Sequence, residues 1–269
     1  MPSLDQKYEL LKTTIKNYGK VGVAFSGGVD STLLLKVAHD VLGENAVALT
    51  AALRAVPAFE LQEAKDFCAA ENIVHILCEI NELSLPEFVQ NPADRCYYCK
   101  RHVLATLGRS AELLGITHIL EGTNSDDLGD FRPGRRAVLE NGVISPLLDA
   151  GLSKQEIRTL SARLGLSTWD KPSYACLASR IAVGEPITEE KLRRVELAEG
   201  FLMEYGIRQV RVRAHGEMAR IEVLPEQIET LARAGFRQEL TKRFKELGFR
   251  YVSLDLEGYK TGNMNPEGE

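Results

Sequence analysis

A chain of 269 residues has room for two domains of ordinary size or one large one. With 44% hydrophobic and 26% charged residues it has the balance of a globular protein, which excludes a disordered, collagen-like or coiled-coil chain. Its net charge of −5 lacks the bulk cationic field of a typical nucleic-acid binder.

No apolar run approaches the ~20 residues needed to cross a bilayer. The segment Met1 to Lys20 is polar and reads as an amphipathic helix rather than a signal peptide, so a cytoplasmic location is expected. Five cysteines, Cys68, Cys78, Cys96, Cys99 and Cys176, are an odd set without an export signal. That argues for thiol chemistry or metal binding over a disulfide framework.

In chain order, Val21 to Phe25 reads as a buried strand, and Ser31 to Val41 as a helix with apolar residues at Leu34, Leu35, Val37, Ala38 and Val41. Ala46 to Thr50 is a strand, Pro57 to Asn72 a helix and Ile73 to Cys78 a third strand. His102 to Leu114 reads as a helix ending at Gly115, and Thr117 to Leu120 as a strand running into the acidic turn Asp126-Asp127. Ser153 followed by Glu156 is a capping box opening a helix to Leu164. Strands alternating with helices predict an α/β fold, a doubly wound parallel sheet with helices on both faces. Trp169 to Gly184 is irregular. Beyond it come a charged helix, Glu189 to Tyr205, two half-exposed strands, Gln209 to Arg213 and Met218 to Val223, a helix over Pro225 to Leu247 and a strand over Arg250 to Leu256. The change of texture near 180 divides the chain into 1–180 and 181–269, the second part a small α+β domain with an antiparallel sheet. The tail from Gly262 to Glu269 is expected to be mobile.

Ser26-Gly27-Gly28-Val29-Asp30-Ser31 falls between a predicted strand and a predicted helix. Adjacent glycines let backbone N–H groups converge on an anion, helped by the helix N-terminus. Ser26 and Ser31 add hydroxyls, and Asp30 suits either a helix cap or Mg²⁺. No Gly-Lys-Ser/Thr follows, so the loop suits gripping a pyrophosphate better than cutting off a γ-phosphate. This loop resembles the PP-loop of the N-type ATP pyrophosphatases over roughly residues 20 to 180. The resemblance implies cleavage of ATP between its α- and β-phosphates, pyrophosphate at the loop, and adenine near a loop at Thr50-Ala51-Ala52. Asp126 and Asp127 end a predicted strand, where Mg²⁺ or a plain acidic turn both fit.

Cys96-Tyr97-Tyr98-Cys99, placed just before the helix at His102, has thiols close enough to share a metal. A thioredoxin-like dithiol lacks its preceding strand here. Zinc, with His102 as a further ligand, and a 4Fe-4S cluster on Cys96, Cys99 and Cys176 both suit the spacing. Cys68 and Cys78 read as core thiols.

Trp169-Asp170-Lys171-Pro172 through Cys176-x-x-Ser179-Arg180 is similar to the LarE family, the PP-loop sulfurtransferases of nickel-pincer nucleotide biosynthesis. So are Asp130 to Gly134, Val210 to His215, Phe249 to Leu256 and Gly258-Tyr259, so that the resemblance spans nearly the whole chain. It implies sulfur supplied at Cys176 and ATP-dependent adenylation of a substrate carboxylate, that of pyridinium biscarboxylic acid mononucleotide. Cys96 and Cys99 match the three-cysteine members, in which a 4Fe-4S cluster carries the extra sulfide; in single-cysteine members Cys176's counterpart is sacrificed. A sulfide or cysteine desulfurase donor, Mg²⁺ and a homo-oligomer, a hexamer, come with the resemblance. On a strand, Arg211 and Arg213 share one face ~6.6 Å apart, near enough to grip one phosphate. Ser179 and Arg180 join them, and the family places the substrate's phosphate there. Arg132 and Arg135 lie close enough to the acidic turn to serve ATP phosphates or surface pairs. A tRNA thiolase with the same loop is the first alternative, opposed by the acidic charge. A non-catalytic metal- or nucleotide-binding protein is the second.

Overall fold

The computed structural model describes residues 2–129 and 134–260. Arg132, most of the Asp130–Gly134 pattern and the tail from Gly262 lie outside the described residues. The helices and strands, in chain order, are α1 (Leu4–Lys16), β1 (Val21–Ala24), α2 (Val29–Leu42), β2 (Ala46–Ala52), α3 (Ala58–Ala70), β3 (His75–Glu79), α4 (Pro86–Val89), α5 (Arg95–Leu113), β4 (His118–Leu120) and α6 (Gly134–Glu140). They continue with α7 (Pro146–Asp149), α8 (Lys154–Arg163), α9 (Glu189–Glu204), β5 (Val210–His215), β6 (Met218–Val223), α10 (Ile228–Ala232), α11 (Ala234–Glu246) and β7 (Tyr251–Leu254). These residues group into two compact units. One lies within Met1–Asn81 and Cys96–Tyr174, the other within Glu82–Arg95 and Ala175–Glu269.

The first unit is the α/β fold the alternation predicts. Its parallel sheet has the order β3-β2-β1-β4. Along β2, Ala46 and Ala48 pack into one core with α1, α2, α3 and α8, while Val47 and Leu49 pack into another with Leu107 and Ala111 of α5. That period of two, apolar on both sides, is what a sheet covered on both faces requires. The chain progresses from β1 through β2 to β3 on one side, and β4 lies on the other. The loop after β1 therefore stands at the topological switch point, where open α/β sheets bind ligands beyond the strand ends. The capping boxes of α1 and α8 are both formed, Ser3 with Gln6 and Ser153 with Glu156.

In the second unit the sheet is β5-β6-β7, antiparallel between β5 and β6 but parallel between β6 and β7. The expected antiparallel sheet is thus a mixed one. The helical connection through α10 and α11 brings the chain back to the end where β6 began, so β7 must run alongside it. The single helix expected from Pro225 to Leu247 is interrupted at Arg233, which is extended. The strands β5 and β6 are not half-exposed: alternate side chains of β5 pack as Val210, Val212 and Ala214 on one face, and Arg211 and Arg213 are equally buried on the other. Asn91 ties 82–95 into this unit, its Nδ2 donating to the carbonyls of Ala182 (2.7 Å) and Glu185 (3.0 Å). Among the described residues no helix is long and apolar enough to cross a membrane.

Candidate active site

The strand β1 ends at Ala24 and α2 begins at Val29, leaving four residues for the glycine loop. Gly27 has φ of 71°, a left-handed conformation that strains any residue with a Cβ. Gly28 is the N-cap of α2, and no side chain caps the helix there. The first-turn N–H groups thus carry the positive end of the helix dipole without a built-in carboxylate partner. Asp30 is not the cap the sequence allowed. The two serines brace the turn: Ser26 and Ser31 hydroxyls are 3.1 Å apart, and Ser31 Oγ donates to the Gly28 carbonyl at 3.2 Å. Gly122, just beyond β4, supplies the close approach that closes the site. A Cβ there would fall 3.1 Å from the Asp30 Cβ and the Ser31 nitrogen.

Asp30 faces across the switch point. Its Oδ2 pairs with the Lys154 ammonium at 2.5 Å and its Oδ1 accepts from Asn124 Nδ2 at 3.3 Å. Lys154 opens α8, and its own N–H donates to Asp126 Oδ2 at 2.9 Å. Asp127 is buried and accepts the Asn124 N–H at 3.0 Å. Both acidic residues thus hold backbone groups of the turn and of α8, a geometry that explains their spacing with or without a cation. The contacts of Lys154 and Lys171 with the loop region are not readable from sequence because each arrives from more than a hundred residues away. Lys171, 9% exposed, donates to the Gly27 carbonyl at 2.9 Å and pairs with Glu63 at 2.7 Å. The sequence signal for Lys154 was a basic residue at a helix opening; Lys171 stood in the Trp169-Asp170-Lys171-Pro172 motif, which gave it no role. Thr50 to Ala52 are not a loop but the end of β2, paired to Leu77, Cys78 and Glu79. The strand runs on because β3 stays alongside it, which moves the loop to Leu53–Pro57.

The Cys96–Cys99 pair does not precede a helix; it lies within the opening turns of α5, which starts at Arg95. Helical spacing at i and i+3 puts both thiols on one face. Cys96 is exposed and Cys99 partly so. Between them Tyr97 turns inward, its hydroxyl donating to Glu140 of α6 at 2.7 Å. Arg136 lies over the Tyr97 ring at 4.6 Å, and Arg101 over the rings of Tyr97 and Tyr98 at 5.4 and 5.6 Å. Arg135 belongs to α6 as well. The pair fits two ligand positions of a metal or cluster. Among the described residues no group of three or more His, Cys, Asp or Glu side chains is drawn together as a metal-holding set. Cys68 and Cys78 are buried, and burial pushes the Cys68 thiol up to about 12, which keeps it protonated and inert.

In the second unit Cys176 is exposed at the head of a short 3₁₀ turn, Leu177–Arg180. Arg180 is fully buried and all three of its nitrogens are engaged. Nε and Nη2 bind the two oxygens of Glu199 on α9, each at 2.8 Å. Nη1 donates to the carbonyl oxygens of Ala175 and Cys176 and to Ser179 Oγ. Arg213 donates Nε and Nη2 to Glu222 and Nη1 to the Ser179 carbonyl. Arg211 lies 5.1 Å under the Tyr259 ring. Burial, and then the nearby Arg180 charge, pushes its guanidinium below its ordinary value. Ser179, Arg180, Arg211 and Arg213 are therefore brought together, as a buried layer rather than a solvated face. Glu199 and Glu222 hold the guanidiniums of Arg180 and Arg213 in this layer, and Arg220 also donates to Glu222 at 3.0 Å. The glutamates were not foreseen because their pairing spans helix and strand.

No family model matches the chain. It is 45% identical to the uncharacterized protein slr1717 of Synechocystis over 97% of this chain and 98% of that one. It is 28% identical to one of the subunits of the glutamine-hydrolyzing GMP synthase of Thermoplasma volcanium, over 68% of this chain and 63% of that one. With the pyridinium-3,5-bisthiocarboxylic acid mononucleotide synthase of Lactiplantibacillus plantarum it shares 36% of its residues across 98% of this chain and 96% of the synthase. An identity of that level over nearly the whole length of both chains means that the chain belongs to the LarE family.

Proposed function

We propose that this protein is an ATP-dependent sulfurtransferase that converts a carboxylate of pyridinium biscarboxylic acid mononucleotide to a thiocarboxylate. The substrate class rests on the near-full-length identity to the named synthase. The use of ATP is supported by one structural observation: a glycine loop at the switch point, opening onto an uncapped helix N-terminus. In this reading the unit of Met1–Asn81 and Cys96–Tyr174, rather than the whole of 1–180, is the ATP pyrophosphatase domain, and the unit of Glu82–Arg95 and Ala175–Glu269, which contains 181–269, serves the substrate and oligomerisation.

The chemistry follows from the groups present. A substrate carboxylate oxygen attacks the α-phosphorus of ATP, the α–β bridging bond breaks, and pyrophosphate leaves. The loop N–H groups, with the Ser26 and Ser31 hydroxyls, face the departing charge. Asp30, Asp126 and Asp127 are the residues that would hold Mg²⁺, whose charge would offset that of the pyrophosphate. A sulfur nucleophile then attacks the acyl carbon of the adenylate, and AMP leaves with the bonding pair. Ser179, Arg211 and Arg213 fit the phosphate of the mononucleotide, while Arg180 fixes the Cys176 carbonyl and thereby the bearing of its thiol. Cys96, Cys99 and Cys176 are the ligands proposed for a 4Fe-4S cluster, which would supply a sulfide. The exposed Cys176 thiol is the second candidate sulfur source.

The test is substrate-dependent release of pyrophosphate and AMP, with mass detection of the thiocarboxylate. ATP that binds but stays intact in the presence of the mononucleotide eliminates this reading. Iron and sulfide are to be quantified on anaerobically prepared wild type and on Cys96→Ala, Cys99→Ala and Cys176→Ala. Full cluster content in all three variants would refute the ligand set. Loss of H₂S from Cys176 after turnover would identify sacrifice of that residue.

A further inference from the structure

Lys171 is an ammonium buried to 9% exposure, in a segment without regular structure. A buried charge persists only when it is well partnered. One partner, Glu63, has a side chain 55% exposed and needs no such companion. The other is the carbonyl of Gly27, 2.9 Å away. That carbonyl belongs to the same peptide group as the Gly28 N–H, whose bond to Ser26 Oγ is long at 3.4 Å and which the proposed function assigns to the anion. The segment around Lys171 is fastened elsewhere too. Arg158 donates to the carbonyl oxygens of Trp169 (2.6 Å) and Lys171 (2.9 Å). Tyr174 meets the Phe59 ring edge-on at 5.3 Å. Two residues later the chain reaches Cys176.

We propose that Lys171 is a positioning residue that couples occupancy of the phosphate loop to the mobility of the Cys176 segment. The physical basis is the peptide group shared by the two contacts. When the Gly28 N–H donates to a phosphate oxygen, the peptide polarises and its carbonyl becomes a stronger acceptor. The Lys171 bond to Gly27 tightens, and with it the hold on residues 169–174. A polyphosphate at the loop thus steadies the chain that carries the thiol before sulfur is needed. The inference rests on the loop binding a polyphosphate, as under the proposed function.

The experiment measures alkylation of Cys176 by iodoacetamide, read by peptide mass mapping, with and without saturating inorganic pyrophosphate. Cys96 serves as an internal reference. Calorimetry of ATP and pyrophosphate binding to wild type comes first; absence of any binding refutes the proposed function and not this coupling alone. Given binding, pyrophosphate is expected to slow wild-type Cys176 alkylation at least fivefold relative to Cys96. The effect should vanish in Lys171→Met and persist in Lys171→Arg. Hydrogen exchange over 169–176 gives a readout independent of thiol chemistry and confirms that each variant is folded. It should slow on pyrophosphate addition in wild type and Lys171→Arg but not in Lys171→Met. Protection of Cys176 that persists in folded, pyrophosphate-saturated Lys171→Met overturns the coupling, as does a wild type that binds pyrophosphate without any change in alkylation.

Discussion

In the first unit the groups proposed to face an anion are backbone N–H groups on a loop, braced by the near neighbours Ser26 and Ser31 and reached from afar by Lys154 and Lys171. In the second unit they are guanidiniums buried as deeply as the valines on the opposite face of β5, each tied to a carboxylate or a ring from another element. On that proposal the loop's affinity for anions would come from chain geometry, set by one left-handed glycine and a helix start. The arginine layer, on the same proposal, would bind through guanidiniums that stay in position only if Glu199 and Glu222 hold them. One site should therefore fail by local strain, and the other by collapse of a buried network.

Glu222→Ala is the sharpest way to test that contrast. The Glu222 carboxylate is wholly buried and accepts from Arg213 and Arg220. Removing it strands a buried guanidinium, a change that typically costs about 3–5 kcal/mol of stability. Denaturant unfolding of the variant should show a loss in that range, with Glu222→Gln affected less. A loss under about 1 kcal/mol would mean that the layer is solvated and the contrast is false. Gly27→Ala should behave in the opposite way. Strain of about 1–2 kcal/mol falls on one loop residue, and the new methyl meets Ala64 Cβ at 3.4 Å and the Glu60 carbonyl oxygen at 3.5 Å, ordinary contacts. ATP affinity should drop about tenfold, the equivalent of ~1.4 kcal/mol, while the cooperative unfolding transition is kept. Unchanged affinity by calorimetry would show that the left-handed turn does not shape the site.

The same contrast explains what could be read from the sequence. The strand–loop–helix of residues 21–42 was legible because a short apolar run, a Gly-Gly break and helical apolar spacing follow one another there, and periodicity exposes such local patterns. The parallel order was legible from alternation alone. The partners of the arginines were not: Glu199 looked like one more charge on an amphipathic helix, and only the stacking of α9 on β5 turns it inward. The long-range contacts of Lys154 and Lys171 were hidden for the same reason. The start of α5 at Arg95 was missed because Cys-Tyr-Tyr-Cys has no apolar periodicity of its own; Tyr97 is buried by α6, an element the sequence did not announce.

Ser153→Ala tests a local feature that serves the loop at one remove. The Ser153 hydroxyl accepts the Glu156 N–H and the Glu156 side chain returns the bond. Its loss should cost about 1 kcal/mol. Because α8 carries Lys154, the variant should also weaken ATP binding, though by less than Gly27→Ala does. An effect on stability with none on affinity would separate the helix cap from the loop.

The smallest effect expected is a pH dependence traced to His75. Its Nε2 lies 2.8 Å from Thr50 Oγ1, and that hydroxyl donates at 2.7 Å to the carbonyl of Phe25, the residue before the loop. The His75 ring also meets Phe25 edge-on at 6.1 Å. Because Thr50 gives its proton to Phe25, the imidazole Nε2–H must be the donor in this chain, with Nδ1 unprotonated in the neutral ring. Burial, and then the charge of Lys65, pushes the imidazole below its ordinary 6.5. Below pH 6.5 the unfolded chain takes up a proton that the native ring refuses, so the unfolded state binds more protons and stability rises with pH in that interval. The contribution is complete above 6.5 and is lost as the pH falls toward the lowered native value. His75→Gln can keep a donor to Thr50 while removing the titration. Its unfolding free energy measured between about pH 7.5 and 5 should therefore fall less steeply than that of wild type, and a parallel slope in the two proteins would show that His75 does not link protons to the strand end that carries the phosphate loop.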